Sequence, residues 1–125
     1  MVLVDTSVWI RALASRPPYV SELDGLLYHK EVAGHELIYG ELLIGDRGGR
    51  AKSMAAYELL PQARLIAHQD MVEFVRDRAL HGRGLSWIDV HLLASALAGR
   101  IQVWTADQSF HAVARELGVA YEPLA

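Results

Sequence analysis

Four acidic residues stand where their spacing lets them share a site: Asp5, Glu41, Asp89 and Asp107. Asp5 closes the β-branched run VLVD, and Asp107 follows the run IQVWT by a single intervening residue. Glu41 lies in HELIYGELLI, where its neighbours three and four positions away are Leu37, Ile38 and Ile44. Asp89 lies in SWIDVHLLASALAG, whose face continues through Leu92, Leu93 and Ala96. A carboxylate on an aliphatic face is costly unless it is paired, protonated or bound to a metal. Two ionised carboxylates ~4 Å apart at an effective dielectric near 20 repel by about 4 kcal/mol. Four together therefore call for protons or a cation. With oxygen as the only donor, the expected cation is a hard one, Mg²⁺ or in its place Mn²⁺.

Each acid also has a structural reading. Asp5 and Asp107 are favoured helix N-cap residues, and Ser86-x-x-Asp89 fits a capping box. For Glu41 and Asp89 the competing reading is an ion pair with Arg11 or Arg100. Glu36, five residues before Glu41, competes for the second acidic role. Thr6, Ser7 and Thr105 are placed either to orient ligands or to cap the helices that begin at 6 and 107. The phosphate-contact candidates are Arg11, Arg47, Arg50 and Arg83, with Arg83 favoured for its place in the Gly82/Gly84 loop before Asp89. Trp9, Trp87 and Trp104 are read as core rather than as stacking surfaces.

The elements that must hold these residues follow from periodicity. Strands are expected at 2–5, 31–34 (EVAG), 64–67 (RLIA), 101–105 (IQVWT) and 119–122 (VAYE). Between them lie helical stretches, one stopped at Pro17-Pro18 and another at Pro61. Short strands alternating with helices imply right-handed βαβ units: an α/β fold with a mostly parallel sheet of four or five strands and helices on both faces. In such a sheet ligands sit beyond the carboxyl ends of the strands, the edge on which Asp5 and Asp107 fall.

Totals narrow the function further. A chain of 125 residues, 52% hydrophobic and 22% charged, fits one domain over 1–125. The lack of cysteine excludes disulfides, thiolate catalysis and Cys-based metal centres. No apolar run reaches a membrane span and the start lacks a basic signal region, so the chain is expected in the cytoplasm, with no membrane partner. A net charge of −3 means that any nucleic-acid contact must be local. Ten of the 12 basic residues are arginine, which suits bidentate phosphate contacts. His35-Glu36 fails as a zinc-protease motif because Tyr39 stands in place of the second histidine, and no phosphate loop or dinucleotide glycine pattern occurs.

The strings VLVDTSVWI (2–10), GELLIG (40–45), LSWIDVHLLASAL (85–97) and WTADQSF (104–110), in this order, resemble the PIN-domain ribonucleases. The closest likeness is to the toxin members of bacterial VapBC toxin–antitoxin pairs, and it extends along essentially the whole chain. The resemblance implies a Mg²⁺-dependent endoribonuclease acting on RNA, a homodimer, and a VapB-type antitoxin that blocks the site. It places the family's acidic quartet, catalytic and metal-binding, on Asp5, Glu41, Asp89 and Asp107, with hydroxyl support at Thr6 or Ser7 and at Thr105. The competing functions are a phosphatase using Asp5 as nucleophile, disfavoured by Ser7 where a second acid is required, and a non-catalytic binding module of the same fold.

Overall fold

The structure is a computed structural model that describes residues 1–123. The elements run β1 (Val2–Val4), α1 (Thr6–Leu13), α2 (Tyr19–Tyr28), β2 (Val32–Ala33), α3 (Glu36–Gly45), α4 (Ala51–Glu58), α5 (His68–Asp77), α6 (Trp87–Gly99), β3 (Gln102–Trp104) and α7 (Gln108–Glu116). The three strands are parallel in the order β2-β1-β3, with Val2 beside Val32 and Gln102, and Val4 beside Trp104.

Strand alternation divides the core between the two sheet faces. Leu3 and Val103 point into a cluster with Ile38, Met71, Leu92, Leu93, Phe110 and Val113. Val2, Val4, Val32 and Trp104 point the other way, against Val8, Leu23 and Leu26. Helices therefore cover both faces: α1 and α2 one, α3 and α5–α7 the other. Among the described residues, no helix is long and apolar enough to cross a membrane.

The sheet is narrower than expected. RLIA forms no strand, and the sheet's β2 edge receives only a single parallel bridge between Gly34 and Gln62. Pro61 has no N–H to extend the pairing, the Arg64 carbonyl accepts the Ser95 hydroxyl at 2.6 Å, and Arg64, Leu65 and Ala67 are exposed. VAYE likewise contributes one bridge, Ala120 to Val103. Beyond it Glu122 turns to Arg115 at 3.2 Å, and Pro123 follows. Both segments lie at the sheet edges, each reduced to one paired position.

A second feature concerns α3, whose aliphatic run, expected as a buried helix, is enclosed on one side only. Ile38 is fully enclosed, but Leu43 and Ile44 are 53% and 89% exposed. By contrast α6 is enclosed from Val90 through Ala96, as its nearly unbroken apolar sequence implies.

A buried polar chain ties α3 to α6. His35, the α3 N-cap, accepts the Leu37 N–H at Nδ1 (3.1 Å). Nδ1 is thus unprotonated, so Nε2 carries the proton toward Ser95 Oγ at 3.0 Å, and Ser95 passes its own proton to the Arg64 carbonyl. Burial lowers the His35 pKa from 6.5 to about 4, with a smaller contribution from His91. The folded state holds this imidazole neutral while the unfolded state takes up a proton below pH 6.5. Stability is therefore lost as pH falls from about 6.5 to about 4. In urea titrations His35→Asn, which can still cap Leu37 but cannot titrate, is expected to lose less stability across that window than the parent. Equal losses would show that His35 is not the titrating group.

Candidate active site

Asp5 leaves the carboxyl end of β1 and enters α1 as its N-cap, 6% exposed. Its Oδ1 accepts the Thr6 N–H at 2.8 Å. Its Oδ2 accepts two hydroxyls, from Ser7 at 2.7 Å and Thr105 at 2.8 Å. Thr105 follows β3 directly, so the parallel pairing of β1 with β3 brings residues a hundred positions apart into contact. Both hydroxyls are also acceptors. Ser7 Oγ receives the Ala106 N–H at 3.0 Å and Thr105 Oγ1 the Asp107 N–H at 3.1 Å. The backbone leading to Asp107 is thereby fixed to the same knot.

The other three acids share a pattern. Glu41 Oε1 accepts the Thr6 hydroxyl at 2.6 Å. Asp89 Oδ2 accepts the Ser86 N–H at 2.9 Å while Ser86 Oγ accepts the Asp89 N–H at 3.0 Å, a complete capping box. Asp107 Oδ1 accepts the Phe110 N–H at 3.0 Å, capping α7. In each, one carboxylate oxygen is anchored and the other has no protein partner among the described residues. In Asp89 and Asp107 the capping bond thus leaves one carboxylate oxygen over.

Burial pushes the Asp89 carboxyl above its usual range, opposed by its hydrogen bond from Ser86, and the charges of Asp5 and Asp107 push it further up. The three acids are thus near enough to repel. None of the ion pairs among the described residues involves Asp5, Glu41, Asp89 or Asp107. Arg11 donates instead to the Ser7 carbonyl at 2.8 Å and lies over the Tyr19 ring, while Arg100 forms the left-handed C-cap of α6. The ion-pair reading of Glu41 and Asp89 therefore fails.

Several expectations change. Glu41 is exposed rather than buried against aliphatic neighbours, because it faces a surface cleft that it shares with Thr6. Glu36 lies in a separate depression with Tyr39, Glu58 and Gln62, which leaves Glu41 as the acid beside Thr6. Arg83, favoured as a phosphate contact, forms a two-pronged pair with Glu116 at 2.6 and 2.8 Å. Trp104 is core, but Trp87 is 45% exposed, packed edge-on against His91 and tilted against His68. Helical spacing alone did not reveal this, since Trp87 occupies the first, solvent-facing turn of an otherwise enclosed helix.

The donors fit a divalent ion in kind: all oxygen, negatively charged, and without a compensating cation. They are not drawn into a tight shell, since among the described residues no three acidic or histidine side chains gather at metal-binding distance. Magnesium tolerates this looseness, because it keeps several waters and binds through one or two carboxylates.

The parallel sheet with helices on both faces, and Asp5 and Asp107 beyond the carboxyl ends of β1 and β3, agree with a PIN domain. Residues 2–116 match that family, and the chain belongs to it. Ribonuclease VapC32 of Mycobacterium tuberculosis, from strain CDC 1551 / Oshkosh and from strain ATCC 25618 / H37Rv, is 37% identical over 121 residues, covering 96% of this chain and 95% of its own.

Two measurements probe the knot. Asp5→Asn removes one of the charges acting on Asp89, so ¹³C-detected titration of the metal-free protein should show the Asp89 midpoint shifted down; an unmoved midpoint would mean the acids are electrostatically independent. Thr105→Val strands the Asp107 N–H and deprives Asp5 of a donor. The expected loss of about 1–3 kcal/mol in urea denaturation would be absent if the hydroxyl were dispensable to folding.

Proposed function

We propose that this protein is a metal-dependent endoribonuclease of the VapC type, hydrolysing RNA phosphodiester bonds as the toxin of a toxin–antitoxin pair. The observation that carries the chemistry is the half-anchored state of Glu41, Asp89 and Asp107 around the buried Asp5. Each has one oxygen committed to the fold and one left over, and among the described residues no lysine or arginine forms an ion pair with the group. Family membership and the ribonuclease relative support the substrate class.

The cofactor class is a divalent metal ion. Mg²⁺ is the ion proposed, Mn²⁺ a substitute, held by Asp5, Glu41, Asp89 and Asp107 directly or through water. Such an ion, when bound, lowers the pKa of a water in the site and offsets charge on the phosphate. The chain's own residues set the geometry. Ser7 and Thr105 keep the Asp5 carboxylate from rotating, and Thr6 aims Glu41. The capping bonds fix Asp89 and Asp107 to the starts of α6 and α7. Preorganised groups of this kind need no rearrangement at the moment of reaction, which is where electrostatic catalysis gains most. Single-stranded RNA is the preferred form, since unpaired bases are open to a small enzyme. A VapB-type antitoxin, a homodimeric state and a cytoplasmic location complete the reading.

Asp5→Asn preserves shape and hydrogen-bond acceptance at one atom while removing charge. Cleavage of cellular RNA by the purified protein should fall by about 10²–10³-fold, the scale of losing one electrostatic contributor, with the circular-dichroism spectrum unchanged. Excess EDTA should abolish cleavage and added Mg²⁺ restore it. Undiminished cleavage in the variant or in EDTA would overturn the assignment.

A further inference from the structure

Glu41 and Thr6 do not end the acidic site; they open into a cleft of about 420 Å³ between α1, α3 and the start of α4. Its lining includes Arg47 and Arg50, on the loop that joins α3 to α4. Both are exposed, and neither takes part in an ion pair among the described residues, unlike Arg83 and Arg115, which are paired with Glu116 and Glu122. Asp46, which also lines the cleft, accepts the Gly48 N–H at 2.9 Å. The first turn of α4 contains no acid. The same cleft is lined by Trp9, Leu42, Met54 and Tyr57. One cleft that joins acids able to hold a metalled phosphate, aromatic and aliphatic side chains, and two guanidiniums with no ion-pair partner among the described residues suits a nucleic-acid strand better than a helical peptide, which would bury the apolar surface but leave the arginines without partners.

We infer that Arg47 and Arg50 bind the phosphodiester next to the one cleaved, with the intervening nucleoside lying on the apolar lining of the cleft. The inference rests on the ribonuclease reading and assigns it a substrate path, in the direction of α4 rather than toward Arg83. Guanidiniums suit the role because their planar fork engages two phosphate oxygens at once.

The test uses full-length protein carrying Asp5→Asn, so that the probe survives, and a fluorescein-labelled, mixed-sequence single-stranded RNA of twenty nucleotides in Mg²⁺ buffer. Binding is followed by anisotropy across a salt series. Adding Arg47→Gln and Arg50→Gln should weaken binding and flatten the log–log salt slope by about 1.4, two phosphate contacts at roughly 0.7 each for a single strand. Arg83→Gln should leave the slope as it was. Arg47→Lys with Arg50→Lys, which keeps the charges, should recover most of the slope and covers the case in which the glutamine pair fails to fold. An unchanged slope in the glutamine pair would overturn the path, as would an equal loss in the lysine pair. It would do so without touching the nuclease reading, provided the parent without Asp5→Asn still cleaves RNA. If that parent cleaves no RNA, the reading on which the path rests falls first. If the glutamine pair binds RNA with the parent's slope but no longer binds a protein partner, the cleft is a protein-docking surface and the path is wrong.

Discussion

The organising interaction is the burial of one carboxylate, Asp5, at the end of a strand, held by neutral donors only. A carboxylate removed from water is unfavourable unless several hydrogen bonds replace its hydration. Here the replacements come from the Thr6 amide and from the Ser7 and Thr105 hydroxyls. Those hydroxyls in turn accept the Ala106 and Asp107 amides. The anion therefore welds the β1–α1 junction to the β3–α7 junction. Among the described residues no guanidinium pairs with it, so its negative charge is left for anything bound beyond the sheet edge.

The rest of the site follows from that choice. Asp89 and Asp107 begin helices, and a helix start favours a carboxylate both by capping and by its positive dipole end. Using caps as site acids offsets part of the electrostatic cost of gathering negative charges, because each one has a local stabilising task. The residual cost is visible in Asp89, whose proton is held more tightly through burial and through the fields of Asp5 and Asp107. Capping and chemistry were alternatives for each residue taken singly; in Asp89 and Asp107 the capping bond uses only one oxygen and leaves the other for the role proposed above.

Away from the acids, the cleft over Thr6 and Glu41 and the His35–Ser95 chain show how α3 serves two ends. Its N-terminus is pinned through buried groups to α6 and the Arg64 carbonyl. Its later turns are open to solvent and carry Glu41 toward the cleft. A helix buried throughout, as its composition suggested, would have had no free face on which to present that acid.

What the amino-acid order determined by itself was the alternation of short strands with helices, the placing of Asp5 and Asp107 beyond strand ends, the capping box at Asp89, and the family, through four ordered motifs. These are local or periodic properties, readable because each depends on neighbours a few positions away. Tertiary structure alone decided that RLIA and VAYE would pair at single residues, since edge pairing depends on Pro61, Ser95 and Arg115 from elsewhere. It also decided that Glu41 rather than Glu36 would meet Thr6, that Arg83 would be taken by Glu116 while Arg47 and Arg50 stayed unpaired, and that Trp87 would be half exposed. The pairs Thr6–Glu41, Arg83–Glu116 and Ser95–Arg64 lie 35, 33 and 31 positions apart, and spacing along the chain carries no information about which distant group arrives first.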